Sequence, residues 1–179
     1  LFLNNGNASA SSFDLQGGTL KGSGTLTGNV SLGGNLAASP VTFNVGQSPG
    51  QLTITGNLTL LSTAVTPIEL GGTTQGTGYD FIDVTGSATL GGTLNLTFVN
   101  GFGSTVTNAD TFTILRAGSF IGAFSNIATG QYLTTTDSIG KFLVTQNSTT
   151  FQLSQFTPVP EPSTWMLLAT GGGLSAWMN

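Results

Sequence analysis

The sequence predicts an all-β fold, and more narrowly a parallel β-helix (β-solenoid) of roughly five coils spanning residues 1–156. Three observations predict it. Apolar and polar residues alternate over long stretches, a seven-residue template recurs, and a glycine occupies the same place in every copy of that template. A short apolar C-terminal segment follows, for which a helix is one option.

The alternation is the strongest signal. From Leu20 to Leu32 every even position is apolar or glycine and every odd position is polar. The same pattern returns at residues 52–60, 82–90 and 94–98. A period of two predicts half-buried strands, and no segment before residue 157 shows a convincing helical stripe.

A repeat lies inside the alternation. Its template reads apolar, Thr, Gly, amide or hydroxyl, apolar, hydroxyl, Leu, and the copies are spaced 28 and 30 residues apart: Leu26–Leu32, Ile54–Leu60 and Val84–Leu90. A second apolar strand follows each copy: Val41–Val45, Ile68–Leu70 and Leu94–Phe98. A fixed period of this length indicates a solenoid, in which each unit buries its inner face by stacking on its neighbours.

The template glycines are predicted corners of the coil. Gly28, Gly56 and Gly86 interrupt alternating runs, where glycine usually marks a bend or a close backbone approach. The alternative is a hairpin turn in an antiparallel sandwich, since Gly-Asn also serves hairpins. The alternation keeps its phase through each glycine, which favours the coil. Asn29 and Asn57 are then expected to face outward and to form an amide ladder.

The later strands are weaker and lack the template, as terminal coils often do. They are Thr111–Leu115, Tyr132–Leu133, Phe142–Thr145 and Phe151–Leu153. The predicted solenoid ends at Phe156. Residues 157–164 are expected to form an extended proline-rich linker, and residues 165–179 an uncharged apolar segment.

The composition excludes several classes of function. Charged residues make up 6% of the chain and the net charge is −4, so the basic face that nucleic acid requires cannot form. The chain has no Cys and no His, which removes thiolate and imidazole metal sites and cysteine nucleophiles. No metal site and no cofactor is expected.

The carboxylates do not predict an enzyme. Asp80 and Asp83 are the closest pair in sequence, but Asp80 shares the phase of the inward residues and Asp83 that of the outward residues. Glu69 is expected to be a solvated outward residue. Residues 76–82 echo part of a calcium-binding nonapeptide repeat, yet such sites need consecutive copies. Asp80 is therefore expected to close a turn before a strand.

The stretch Val159, Pro160, Glu161, Pro162, Ser163, Thr164, followed by an apolar run, resembles the PEP-CTERM sorting signal of bacterial exported proteins. The resemblance implies handling by an exosortase-type machinery in a Gram-negative-type bacterium that makes exopolysaccharide. The apolar segment has about 14 residues, short of the about 20 that span a bilayer. An export signal is expected upstream of Leu1, because the first residues include no basic n-region.

The body resembles the β-helical passengers of autotransporters. The resemblance rests on the template, on Tyr79-Asp80-Phe81-Ile82-Asp83-Val84, and on Phe112-Thr113-Ile114-Leu115 with Gly122-Ala123-Phe124-Ser125. It implies a right-handed parallel β-helix, the hand that parallel crossover connections also favour. Function does not follow from such a fold alone.

The leading hypothesis is a structural protein of the cell surface or extracellular matrix, with exopolysaccharide as a candidate partner and transient membrane contact through the tail. The first alternative is a carbohydrate-binding adhesin, for which Tyr79, Phe81 and Tyr132 are the candidate aromatic residues. A polysaccharide-active enzyme using Asp80 and Asp83 is the second alternative.

Overall fold

The computed structural model describes residues 1–34, 40–46 and 49–160, and this part of the chain is all-β, as predicted. It contains no α-helix and a single 3-10 turn at Phe102–Ser104. Its fourteen strands are β1 (Phe2–Leu15), β2 (Gly18–Leu32), β3 (Val41–Val45), β4 (Gln51–Thr55), β5 (Leu58–Leu60), β6 (Ala64–Leu70), β7 (Phe81–Val84), β8 (Ser87–Leu90), β9 (Thr93–Phe98), β10 (Phe112–Arg116), β11 (Ser119–Gly122), β12 (Tyr132–Thr134), β13 (Gly140–Gln146) and β14 (Thr150–Pro158).

The template copies lie side by side as parallel strands. β4 lies between β2 and β7, with Leu26 opposite Ile54 and Ile54 opposite Val84. β5 pairs with β2 and β8 in the same way, and Leu58 stands opposite both Val30 and Ala88. These apolar side chains are buried because alternation directs them all to one side of the sheet.

The second apolar strand of each repeat forms another parallel set. β6 lies between β3 and β9, and its inward residues Ala64, Ile68 and Leu70 are buried. β1 adds a further parallel strand beside β2, with two register shifts along its length. Apart from Phe81, the buried apolar residues of all these strands belong to one continuous core.

The prediction of a parallel β-helix of about five coils is wrong, because the sheet is mixed. β14 is antiparallel to β10 and to β13, and β12 is antiparallel to β13. The longest path of paired strands in the described chain runs β11-β8-β5-β2-β4-β7-β10-β14-β13-β12. It forms a barrel-like sheet that nearly closes, and the Gln146 side chain donates a hydrogen bond to the Gly122 carbonyl (3.0 Å) near its two ends.

The short connection between β13 and β14 explains why the prediction failed. β13 ends at Gln146 and β14 begins at Thr150, and the Asn147 N–H donates to the Thr150 carbonyl at 2.8 Å. A parallel crossover needs roughly a dozen residues, so a turn this short makes the strands antiparallel. Alternation predicts which residues are buried but not in which direction neighbouring strands run. The hairpin alternative concerned the template glycines, and there it is wrong, because the template strands pair in parallel.

A cluster of aromatic rings joins the antiparallel part to the parallel part. The Phe142 ring centroid lies 5.9 Å from that of Phe98, 5.7 Å from that of Phe112 and 5.1 Å from that of Phe156. These four rings come from β13, β9, β10 and β14. Such edge-on and tilted contacts stabilise a core beyond the area they bury.

β14 continues two residues past the predicted end of the β domain. Pro158 stands opposite Gly140, and the Val159 N–H donates to the Ile139 carbonyl at 2.9 Å. The predicted apolar segment 165–179 lies outside the described residues. Within the described ranges, no helix has the length and apolar character needed to cross a membrane.

Candidate functional site

The template glycines form a column that runs from strand to strand. A Cβ on Gly86 would lie 2.6 Å from the Gly56 carbonyl oxygen, and one on Gly56 would overlap the Gly28 carbonyl. The Gly86 N–H also donates to the Gly56 carbonyl at 2.9 Å. Gly56 and Gly86 separate consecutive strands, whereas Gly28 lies inside β2. The column therefore requires glycine because neighbouring backbones approach each other closely.

The next member of this column was not predicted from the sequence. Gly118 lies between β10 and β11, and its N–H donates to the Gly86 carbonyl at 2.8 Å. The template is absent around Gly118. The one signal for this position was a glycine at a similar interval after Gly86, followed closely by the apolar pair Phe120 and Ile121.

The predicted amide ladder runs beside the glycine column. The Asn57 Nδ2 and backbone N–H both donate to Asn29 Oδ1, each at 3.0 Å. Asn57 Oδ1 in turn accepts from the backbone N–H and the hydroxyl of Ser87, at 2.9 and 3.0 Å. These side chains are at the surface, yet they bind one strand to the next.

Asp80 is a fully buried carboxylate (0% exposed) that joins three distant segments. Its Oδ1 accepts from the Gly50 N–H at 2.7 Å, and its Oδ2 accepts from the Glu69 N–H at 2.8 Å. Its own N–H donates to the Glu69 carbonyl at 3.0 Å. Asp80 thus holds the loop between β6 and β7 against the start of β4. This agrees with its predicted role in closing a turn.

Burial raises the pKa of Asp80 to about 7, although the hydrogen bonds from Glu69 and Gly50 lower it. The negative charge of Glu69 adds a smaller upward contribution to this pKa. Glu69 itself is less solvated than predicted, because its Oε2 is buried and has no hydrogen-bond partner among the described residues. Asp80 is thus fully buried, whereas Glu69 is half-buried.

Asp83 lies at the surface and is paired with a cation. Arg116 Nε donates to Asp83 Oδ1 at 2.9 Å, and Arg116 Nη2 donates to Asp83 Oδ2 at 2.6 Å. The hydrogen bond with Asp83 raises the pKa of the Arg116 guanidinium. Asp80 and Asp83 therefore point to opposite sides, as predicted, and do not share a space for substrate. The described residues contain no group of three or more metal-ligating side chains.

Two of the three aromatic candidates for sugar stacking are buried. Tyr79 is 5% exposed and its ring lies edge-on to Phe112, with centroids 5.1 Å apart. Phe81 is 3% exposed, and the Arg116 Cζ atom lies over its ring, 5.8 Å from the ring centroid. Tyr132 is 42% exposed, but the Lys141 Nζ lies 5.2 Å from its ring centroid. The prediction that Tyr79 and Phe81 form a sugar-stacking surface is therefore wrong.

A polar cleft of about 350 Å³ opens at the start of β4. It was not predicted, because four segments that are distant in sequence form it. Its lining combines β1 and β2 residues, the residues that lead into β4, and the loop before β7: Asn4, Asn5, Ser23, Pro49, Gly50, Gln51, Gly76 and Thr77.

The sorting motif lies at the boundary of the described chain. Val159 is exposed, and Pro160 is the last described residue, while Glu161, Pro162, Ser163 and Thr164 lie outside the described residues. No protein-family model, curated protein or solved structure matches this chain.

Proposed function

We propose that this chain is an exported structural protein of the bacterial cell surface or extracellular matrix, delivered by the motif Val159–Thr164. The observation that carries the proposal is how its polar side chains are used. Several side chains with the chemistry to act on a substrate instead bind one strand to another.

Three contacts illustrate this use. Asn57 connects the strands on either side of it, and Asp80 accepts hydrogen bonds from two separate backbone segments. Asp83 is held by Arg116 across the β7–β10 pair. Groups fixed in this way stabilise a scaffold and leave little freedom for acid–base catalysis, which needs a group within reach of the proton to be moved.

The exterior also suits a structural role outside the cell. The outward positions are mostly Thr, Ser, Asn and Gln, and only three Lys and Arg residues occur in the whole chain. A neutral surface approaches other neutral material without long-range attraction or repulsion. An exosortase-type machinery is the proposed sorting partner, with exopolysaccharide as the candidate matrix partner and transient membrane contact through the tail.

The sorting motif provides the direct test. The full chain is expressed behind a secretion signal in a Gram-negative bacterium that encodes an exosortase, and its mass and location are followed by fractionation. We expect the wild-type chain to be shortened and recovered at the cell surface or in the matrix. Replacing Pro160, Glu161 and Pro162 together by alanine should leave an unshortened chain that is not released.

The matched control is Pro40→Ala, which removes an exposed proline far from the motif. It should be sorted like the wild type. Equal sorting of the triple variant, or retention of the wild-type chain in the periplasm at full length, would contradict the proposal.

A further inference from the structure

We propose that the cleft at the start of β4 binds a neutral saccharide unit. This goes beyond the structural role, and neither proposal depends on the other. Binding is measured on the purified chain, whereas sorting is measured in cells, so each can fail alone.

The floor of the cleft is a row of outward side chains on adjacent parallel strands. Asn4 of β1 stands opposite Ser23 of β2. Gln51 immediately precedes Leu52, which stands opposite Gly24, so Gln51 lies beside Ser23. Neighbouring strands are about 4.8 Å apart. The row therefore places polar side chains at a regular interval along the cleft.

The walls of the cleft are held in place before any ligand arrives. On one side the Gly50 N–H is bound to Asp80, and the Gly50 carbonyl accepts from the Phe81 N–H at 2.9 Å. On the other side the Gly76 N–H donates to the Tyr79 carbonyl at 2.9 Å. A Cβ on Gly76 would lie 3.1 Å from Gln51 Oε1, so this wall packs directly on the floor. Preorganisation lowers the entropic cost of binding.

Several polar groups remain for a ligand. Asn5 Oδ1 accepts from the Ser23 hydroxyl at 2.8 Å, and this arrangement leaves the two Nδ2 hydrogens to donate. Gln51 Nε2 makes a long contact of 3.5 Å with the Thr53 hydroxyl, and Gln51 Oε1 remains to accept. The exposed Thr77 hydroxyl can both donate and accept. Sugar hydroxyls also donate and accept, so they complement this mixture.

The lining argues against other ligand classes. Among the described residues no charged side chain lines the cleft, so an ionic ligand would lose hydration without gaining a counter-charge from them. Pro49 is the only apolar side chain that the described part of the chain contributes to the lining, which gives an apolar ligand little to contact. An extended peptide would need a row of pockets for alternate side chains. The volume is near the lower end of the roughly 300–1,000 Å³ typical of small-molecule sites, which favours a short glycan unit.

The test is a titration of the ¹⁵N-labelled full chain, followed by NMR. The probes are maltose, cellobiose and laminaribiose, with digalacturonate as the acidic comparison and trialanine as the peptide comparison. We expect at least one neutral disaccharide to shift the side-chain amide signals of Asn5 and Gln51 and the backbone signals of Gly50 and Gly76. The shifts should saturate. Digalacturonate should bind more weakly.

Two substitutions locate the site. Gln51→Ala and Thr77→Val each remove one hydrogen-bonding side chain, and each should weaken binding about three- to tenfold. Gln16→Ala, at an exposed glutamine outside the cleft, should bind as the wild type does. The proposal is overturned if no disaccharide shifts these signals, if both cleft variants bind unchanged, or if digalacturonate or trialanine binds more tightly.

Discussion

Asp80 shows how strongly a single residue can affect this fold. Its carboxyl group is buried, which favours the protonated form, yet both oxygens accept backbone N–H groups, which favours the charged form. Burial is the larger effect, and the nearby Glu69 charge acts in the same direction. The result is a carboxyl group that takes up its proton near neutral pH.

Asp80 should make the folded protein less stable as pH rises from about 4 to about 7. The folded pKa of about 7 exceeds the ordinary value of 3.8, so the folded state holds the proton more tightly than the unfolded state. The stabilisation is complete below pH ~4 and is lost as pH rises through about 7, on the order of 4 kcal/mol in all. The urea midpoints of the wild type and of Asp80→Asn, measured across this pH range, give the size of this stabilisation.

Subtracting the pH dependence of Asp80→Asn from that of the wild type removes the contributions of the other carboxylates to stability. Asp80→Asn should lower the free energy of unfolding at pH 5, because the asparagine NH₂ group cannot accept one of the two backbone N–H hydrogen bonds. The variant should also have a flatter pH dependence than the wild type. Asp14→Asn leaves the Asp80 contacts intact and should retain the wild-type pH dependence. Parallel wild-type and Asp80→Asn curves would show that the backbone hydrogen bonds outweigh burial.

Part of this residue-level picture was predictable from the sequence. The phase of the alternation correctly separated Asp80 from Asp83, and the Gly-Tyr-Asp context correctly indicated a turn. It could not indicate that Asp80 binds Gly50, because the two are 30 residues apart and no local pattern connects them. The cleft was missed for the same reason.

At the scale of the strand, the glycine column explains why the glycine of the template cannot be replaced by a larger residue. Each glycine in the column lies where a side chain would meet the backbone of the preceding repeat. The amide ladder beside it depends on that close approach, because the Asn57 carboxamide must reach both Asn29 and the start of β8. Packing and hydrogen bonding thus reinforce each other along this line.

Gly56→Ala should destabilise the protein by about 2 kcal/mol or more, because its φ of 153° and the overlap with the Gly28 carbonyl both oppose a Cβ. The matched control is Gly6→Ala in β1, where the nearest atom to a Cβ is 3.9 Å away. It should change the free energy of unfolding by no more than about 0.5 kcal/mol. Urea unfolding measures both, and equal losses would contradict the role of the column.

Strand positions were predictable here because alternation records burial directly. The runs at Val41–Val45, Leu94–Phe98 and Phe142–Thr145 fall within β3, β9 and β13. Strand direction was not predictable in the same way, because parallel and antiparallel strands share the period of two. The length of the connection between Gln146 and Thr150 was the signal that could have corrected it.

At the scale of the whole molecule, stability rests on burial and backbone pairing rather than on charge. The described residues contain one ion pair, Arg116 with Asp83, and the Arg116 side chain is largely exposed. The aromatic cluster around Phe142 instead fastens the antiparallel strands to the rest of the core. Exposed ion pairs contribute at most about 1 kcal/mol.

Stability should therefore be nearly independent of sodium chloride. Between 0.05 and 1 M salt the free energy of unfolding should change by less than about 1 kcal/mol, because screening has little to act on. Urea midpoints at fixed pH measure the change, and Arg116→Ala, which lacks the pair, should respond even less. A large loss in high salt would reveal electrostatic stabilisation that these contacts do not explain.

The glycine column also limits how a chain of this kind can change in length. From Gly28 to Gly56, Gly86 and Gly118 the intervals grow from 28 to 30 to 32 residues, yet every glycine meets the carbonyl of its predecessor. Insertions are thus absorbed in the loops, while the glycines remain aligned. Loss of one column glycine would leave the glycines on either side without their backbone contact. Genes for such chains are therefore expected to grow or shrink by whole repeats, and small insertions and deletions are expected only in the segments between these glycines.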